Sequence, residues 1–394
     1  MSPLAGIKVL DLGTVLMAPY AGQWLADLGA DVIKVEAPGG DSTRATGPAA
    51  EPGMAALFLG LNRNKRSIVL DLKTDEGKQA LIRLAEDADI LLHNNRPQKM
   101  KALGLGPEAL MARNPRLVYA CLHGFAEDGP YGGRPAYDDV IQGLCGLADL
   151  MGQRQGEPAY LPTVVADKTC GLIGVIAILA ALSKRDREGE GSYVEVPMFE
   201  TMVAFTAVEH LYGRHFDPPR GPAAYPRAMT PERRPFATAD GFICALPYND
   251  GHWRRLFAAV GRAELAHDPR FVDMAARTRN IAELYGLLGE ILRQKPTAEW
   301  LTILEGLEIP CAPVTSLEDL VSDPHLEATG FFTVMEGPEG TTLRFPGVPV
   351  LFDGQRPQIR RPPRLGEHTA EVLAEAGLSG GAQAAGSGAL TDPG

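Results

Sequence analysis

The sequence predicts an α/β protein with a large domain built on an open parallel sheet and a smaller α+β domain. Three observations support this fold class. Short apolar segments alternate with helical segments through residue 125, a pattern typical of parallel sheets covered by helices. A long uncharged stretch follows at 170–182, and a stretch rich in proline and arginine at 216–235 indicates a linker. With 394 residues, the chain is long enough for two domains.

The first elements form a βαβ unit. Residues 7–12 are predicted as a short buried strand, 19–29 as a helix that ends at Gly29, and 31–35 as the next strand. A right-handed crossover makes the two strands parallel. The other predicted elements of this region are helices at 74–87 and 107–113 and strands at 67–72, 90–94, 117–125 and 193–196.

Polar residues collect where these strands end, which is where ligands bind in open parallel sheets. The predicted strand ends are residues 13–18, Glu36, 94–96, and His123 with Gly124. Glu36 stands where nucleotide-binding folds place an acid near a ribose, but the loop after the first strand has no GxGxxG. The missing glycines argue against an NAD-type oxidoreductase.

Asp167 is the main catalytic candidate. It stands three residues before the uncharged run 170–182, which has no polar face at helical spacing and predicts a helix buried all round. The run is shorter than the ~20 residues that span a bilayer. Asp167 is expected at the N-cap or in the first turn, where the helix dipole favours a carboxylate. A plain capping role is the alternative, but a charge in so apolar a setting favours a functional one.

The second region is predicted as a small α+β domain. A strand pair turns at Asp240 and Gly241, and helices follow at 253–260, 281–292 and 297–307. Ser316 and Asp319 form a capping-box pattern that opens another helix. Residues 341–352 are strand-like, and the Gly-, Ala- and Ser-rich tail 379–394 is expected to be disordered.

Composition limits the possible partners. The net charge is -11, which disfavours general binding to nucleic acid or anionic membranes. The five cysteines lack the paired spacing of disulfides or zinc sites, so we expect reduced thiols and no metal. The first residues lack the pattern of a signal peptide, which favours a cytoplasmic protein. One basic patch, LNRNKRSIVLDLK, supplies Arg63, Lys65, Arg66 and Lys73 as either a solvated face or a phosphate site.

Several motifs together resemble the class III CoA-transferase family, which includes formyl-CoA transferase and alpha-methylacyl-CoA racemase. These motifs are IKVLDLGTVLMAPYAGQWLADLGADVIKVEAPGGDSTR, LNRNKRSIVLDLK, GPYGGRPAYDDVIQG, VVADKTCG and PRLGEHTAEVL. The resemblance implies a Rossmann-like large domain and an interlocked homodimer. The large domain would comprise 1–200 and 341–378, the small domain 234–315, and the linkers 201–233 and 316–340.

The resemblance also implies a mechanism. Asp167 would attack the carbonyl of an acyl-CoA, giving a mixed anhydride and then an aspartyl-CoA thioester, from which a free carboxylic acid takes the CoA. CoA and its thioesters are then substrates, and no tightly bound cofactor is expected. The matching positions for CoA are Val15, Leu16, Met17, Ala18, Leu70, Lys73 and Asn94, and Asn95, Arg96 and Lys101 are further candidates for CoA contacts that do not match the family.

Some positions differ from formyl-CoA transferase. Ala37 and Ala102 stand where that enzyme has arginines, and Asn95 replaces a phenylalanine. Lys101, Arg96 or Arg44 would then supply the charge that binds the CoA phosphates.

The racemase branch is the nearest alternative. There, a histidine works with the aspartate that matches Asp167 to move the alpha proton of a 2-methylacyl-CoA. This chain has Tyr137 at the histidine position, followed by Asp138, as possible substrate or orienting groups. A tyrosine hydroxyl, with an ordinary pKa of about 10, is a poor proton shuttle at neutral pH. The sequence therefore favours CoA transfer over racemisation. A non-catalytic acyl-CoA carrier is disfavoured because an unpaired charge at the head of a buried helix is costly to keep without a use.

Overall fold

A computed structural model describes residues 2–378, so the predicted disordered tail 379–394 lies outside the described residues. The strands are β1 (Lys8–Asp11), β2 (Asp31–Glu36), β3 (Arg66–Val69), β4 (Ile90–His93), β5 (Val118–His123), β6 (Ser192–Pro197), β7 (Phe236–Ala237), β8 (Phe242–Ala245), β9 (Cys311–Pro313), β10 (Phe332–Glu336) and β11 (Thr342–Pro346).

The α-helices follow the same chain order. They are α1 (Met17–Asp27), α2 (Ala56–Leu61), α3 (Asp75–Glu86), α4 (Pro97–Ala102), α5 (Pro107–Met111), α6 (Asp138–Leu144), α7 (Leu147–Gln155), α8 (Val165–Glu188), α9 (Met198–His210), α10 (Pro226–Met229), α11 (Asp250–Ala259), α12 (Met274–Arg279), α13 (Ile281–Leu292), α14 (Thr297–Gly306), α15 (Pro324–Ala328) and α16 (Thr369–Glu375).

The chain divides into two compact units. The large unit holds the residues up to Cys145, Pro162–Val203, and the chain from His325 onward; the small unit holds Gly146–Leu161 and Ala204–Pro324. The prediction assigned all of residues 1–200 to the large domain, whereas in the structure residues 146–161 belong to the small unit. Its helix, α7, starts after a left-handed glycine and contacts α10 of the small unit.

A six-stranded parallel sheet forms the centre of the large unit and confirms the predicted α/β class. Its strand order is β3-β2-β1-β4-β5-β6. The order reverses between β1 and β4, and ligands bind at such a switch point in doubly wound sheets. Strands β4 and β5 are buried along their whole length, as expected for central strands covered on both faces.

Helix α8 covers one face of this sheet. A Cβ added at Gly171 would lie 2.9 Å from the Met17 carbonyl oxygen of α1, and one at Gly174 would lie 2.8 Å from the Leu122 side chain of β5. These glycines let α8 approach its neighbours more closely than larger residues would. The other face of the sheet carries the core in which Leu81 of α3 and Val372 of α16 are buried.

The prediction that the apolar run of α8 is buried all round is wrong. Leu172, Ile173 and Ile176 lie on one side of the helix and are exposed, Ile176 by 61%. By length and composition alone, Val165–Glu188 is also long enough to cross a membrane, but its other side packs on α1, β5 and β6 as in a folded core. Apolar composition does not reveal which side the chain itself covers.

The basic patch is also corrected, because three of its four cations are used in ion pairs. Lys65 pairs with Asp11 at 2.8 Å, with both side chains fully buried. Arg63 pairs with Asp27, also within the core. Arg66 contacts Asp31 and two acids of α16, Glu371 and Glu375. The patch is therefore neither a solvated face nor a phosphate site, and Lys73 alone remains exposed.

The small unit has the predicted α+β character. Strands β7, β8 and β9 form an antiparallel sheet. Helices α11, α13 and α14 pack their apolar sides into one core, where Trp253, Leu288 and Trp300 are buried. The Ser316 hydroxyl accepts the Asp319 N–H and donates to its carboxylate, so the predicted cap exists, but it opens only a short turn of 3-10 helix.

Candidate active site

Asp167 lies in the first turn of α8, as predicted, and a second carboxylate lies beside it. The N–H of Asp167 donates to Oδ1 of Asp138, at 2.9 Å. Asp138 begins α6 and is only 5% exposed. Its other oxygen accepts a hydrogen bond from the Gln142 side-chain amide at 2.7 Å. The two helices therefore hold the backbone of Asp167 through a fixed carboxylate, and the side chain of Asp167 remains half-buried.

The electrostatics of this pair suit a nucleophile. Burial, and secondly the charge of Asp138, raise the pKa of the Asp167 carboxyl to about 7. Near neutral pH the group is therefore partly ionised, and its carboxylate is more basic than an ordinary aspartate. Perturbation by desolvation and a specific charged neighbour is typical of functional carboxyls.

This raised pKa predicts a cost in stability. Between the ordinary value of 3.8 and about 7, the unfolded state loses the proton while the native state keeps it. Stability therefore falls as the pH rises through that window. Asp167→Asn should raise the free energy of unfolding at about pH 8 by on the order of 2–4 kcal/mol and change it little at about pH 4.

Urea unfolding at both pH values measures this difference. Asp139→Asn is the matched control, because Asp139 lies in the first turn of α6 but is exposed. An Asp167→Asn protein that gains no stability at the higher pH would show that Asp167 carries no such cost.

The loop between β1 and α1 is held in place at the switch point of the sheet. Its Thr14 exchanges two hydrogen bonds with the Asn94 side chain that follows β4, at 2.9 and 2.8 Å. On the other side, Lys34 donates to the Gly13 carbonyl oxygen and pairs with buried Asp41. Val15 has a φ of 66°, a left-handed conformation that is strained for a β-branched residue and typical of functional sites.

The other predicted CoA-contacting residues spread along the same edge of the sheet. Asn95 contacts the Leu12 carbonyl oxygen, and Arg96 is the exposed N-cap of α4. Leu70 is buried after β3, and Lys73 is exposed in the turn that follows. Lys101 lines a cavity of about 330 Å³.

Arg44 does not compensate for the missing arginines. Its guanidinium makes two 2.7 Å hydrogen bonds to Glu36 and stacks on the Phe58 ring. Glu36 also accepts from the Ser67 hydroxyl. Glu36 and Arg44 thus form a buried ion pair. The expectation that Arg44 supplies charge for CoA is wrong.

Tyr137 is the N-cap residue of α6 and is 70% exposed, so its ring lies open next to Asp138. The sequence analysis missed Gln142, which fixes Asp138. The signal was available, because Asp138 and Gln142 are four residues apart and therefore on the same side of a helix. Among residues 2–378, no group of three His, Cys, Asp or Glu side chains is arranged to hold a metal ion.

Comparisons with known proteins agree along nearly the whole chain. A family model described as CoA-transferase family III matches residues 4–369. Over 385 residues the chain is 38% identical to the succinate–glutarate CoA-transferase of Agrobacterium fabrum, covering 95% of each protein. It is 35% identical to the succinyl-CoA:mesaconate CoA-transferase of Haloarcula hispanica, covering 97% of this chain and 98% of the relative.

A solved structure shows the same fold. The crystal structure of a CaiB/BaiF family protein from Brucella suis matches with a TM-score of 0.79 and 35% sequence identity. The match covers 95% of this chain and 99% of that one.

Proposed function

Because the chain belongs to CoA-transferase family III, we propose that it moves CoA from an acyl-CoA to a free carboxylic acid through a covalent intermediate on Asp167. Family membership confirms the resemblance and supports CoA transfer as the reaction and CoA thioesters as substrates. The observation that carries the proposed mechanism is the position of Asp167, half-buried in the first turn of α8 with its N–H bonded to the carboxylate of Asp138. The pKa of the Asp167 carboxyl is raised in consequence.

In the proposed reaction, the Asp167 carboxylate attacks the thioester carbonyl, which forms a mixed anhydride and releases CoA thiolate. The thiolate attacks the aspartyl carbonyl, which frees the first acid and leaves an aspartyl-CoA thioester. The second acid attacks that thioester, giving a new anhydride and CoA thiolate again. Attack of the thiolate on the acyl carbonyl forms the new acyl-CoA and restores the Asp167 carboxylate.

We place CoA along the loop that follows β1. The hydrogen bonds between Thr14 and Asn94 fix that loop at the switch point, and α1 begins directly after it. N–H groups at a helix N-terminus favour phosphate groups. The strained Val15 supports a binding role for this loop, because strain of that kind persists where function requires it.

The acids we propose are small dicarboxylic acids. Two relatives that align over nearly their full length are named for succinate and glutarate and for succinyl-CoA and mesaconate. Exchange among such acids suits this chemistry, since one thioester replaces another of similar energy.

Mass spectrometry of one incubation in deuterated water tests the reaction. The mixture contains succinyl-CoA, a 2-methylacyl-CoA, and a panel of free mono- and dicarboxylic acids. We expect new CoA thioesters without deuterium at the alpha carbon. Deuterium at that carbon without new thioesters would instead identify a racemase.

The pH dependence of transfer tests the part played by Asp138. The nucleophile must be ionised, so kcat/KM should rise with pH through about 7. Asp138→Asn removes the neighbouring charge while keeping an oxygen for the Asp167 N–H. We expect it to move the rise to lower pH by about one pH unit or less.

Asp139→Asn is the matched control for that shift, because it removes an exposed charge one residue away. Its profile should coincide with that of the wild type. An unmoved profile in Asp138→Asn, with transfer intact, would contradict the coupling.

A further inference from the structure

The small unit contains an open cavity of about 490 Å³ in which positive charge is concentrated. Three arginines line it: Arg227, Arg233 and Arg234. Among the described residues that line the cavity, none is acidic. In a protein with a net charge of -11, three arginine residues around one cavity without a lining acidic residue create a local potential that favours an anion.

Arg227 is fixed at this cavity by aromatic residues. Its Nε donates to the Tyr285 hydroxyl at 3.0 Å, and its guanidinium lies 5.5 Å from the centre of the Tyr248 ring. These neighbours hold the side chain without neutralising it. A fixed, charged guanidinium is well suited to bind a carboxylate through two hydrogen bonds.

Arg233 and Arg234 come from a turn that is held by its backbone. The Arg233 N–H donates to the Thr230 carbonyl oxygen, and the Arg233 carbonyl oxygen accepts from the side chain of Arg154. The nearest acid along the chain, Glu232, accepts a hydrogen bond from the Thr230 hydroxyl. The turn thus places two exposed arginine residues at the cavity.

The rest of the lining is largely apolar. Phe236, Leu246 and Pro310 contribute carbon surface beside the arginines. A small dicarboxylic acid matches this arrangement, because each carboxylate can meet a guanidinium while its methylene groups lie on the apolar surface. The volume is also in the range of small-molecule sites.

We propose that the cavity between Arg227, Arg233 and Arg234 binds a small dicarboxylic acid. The inference rests on the proposed function, since it assigns a site to the acid that exchanges CoA. It adds that selection of two carboxylates over one depends on this arginine cluster.

Calorimetric titration of the full chain tests the site directly. The probes are glutarate, valerate (the monocarboxylic acid of the same chain length), inorganic phosphate and CoA. The variants are Arg227→Met and the double variant Arg233→Met/Arg234→Met, whose exposed positions carry little risk for folding. Arg254→Met is the matched control, because Arg254 is an exposed arginine of α11 that does not line the cavity.

We expect the double variant to bind glutarate about 10-fold more weakly or worse, and to bind valerate and CoA as the wild type does. Unchanged glutarate binding in both cavity variants would overturn the site. Weaker binding of CoA or phosphate with unchanged glutarate binding would also overturn it, because the arginines would then hold phosphate groups.

Kinetics separates this inference from the proposed function. With saturating acyl-CoA, the double variant should raise the KM for glutarate about 10-fold and leave the KM for acyl-CoA unchanged. If glutarate binding depends on the arginines but no CoA transfer occurs, the proposed cavity site stands and the proposed CoA-transferase function is refuted. CoA transfer together with wild-type glutarate binding in both cavity variants would refute the site and leave the proposed function.

Discussion

Asp167→Ala is expected to lower kcat for CoA transfer by on the order of 1,000-fold or more, since removal of a covalent nucleophile leaves only binding and positioning. CoA should bind the variant with little change, because the loop after β1 and Asn94 are intact. In the wild type, incubation with acyl-CoA alone should yield an adduct on Asp167 that hydroxylamine removes and mass spectrometry locates.

The control for this experiment is Asp186→Ala near the other end of the same helix, where the side chain is exposed. It should transfer CoA at the wild-type rate. An unmodified Asp167 under single-turnover conditions, with transfer still occurring, would refute the covalent mechanism.

Lys65→Met is expected to lower the free energy of unfolding by about 3–5 kcal/mol. Lys65 donates to Asp11, to the Pro19 carbonyl oxygen and to Asn62 from a fully buried position. Burial lowers its pKa to about 8, although the neighbouring Asp11 carboxylate acts to raise it. Methionine keeps most of the side-chain volume but leaves the Asp11 carboxylate buried without its cation. Urea unfolding at neutral pH measures the loss.

Two further variants show whether the effect is electrostatic. Lys78→Met removes a cation from a partly exposed pair with Asp75 and should cost less than about 1 kcal/mol. Asp11→Asn added to Lys65→Met should restore part of the lost stability, because the remaining group is then neutral. A double variant no more stable than Lys65→Met would point to packing as the cause.

The sequence alone predicts the large-unit sheet well, because short apolar segments between turns are a local signal. The strands at 31–35 and 90–94, for example, lie within one residue of β2 and β4 at each end. It also places Asp167 in the first turn of its helix, since an aspartate just before an apolar run is typical of a helix start. These features depend only on residues that are neighbours along the chain.

The features that the sequence does not predict depend on distant pairs. From the sequence, Lys65 is predicted to belong to a basic patch, whereas in the fold it pairs with Asp11 of β1. Arg44 reads as a free cation until Glu36 occupies it. Arg227 lies in the predicted linker 201–233 and Arg234 begins the predicted small domain, and only the folded chain places both at one cavity. Spacing along the chain carries no information about such partners.

The position of α16 has a consequence for biosynthesis. This last described helix buries Val372 and Leu373 in the sheet core and binds Arg66, the first residue of β3, through Glu371 and Glu375. The large unit therefore completes its core only after α16 has been synthesised and released from the ribosome. Ala204–Pro324, the main part of the small unit, is synthesised earlier and can fold first, because domains fold as units during synthesis. Docking of α16 then completes the core of the large unit.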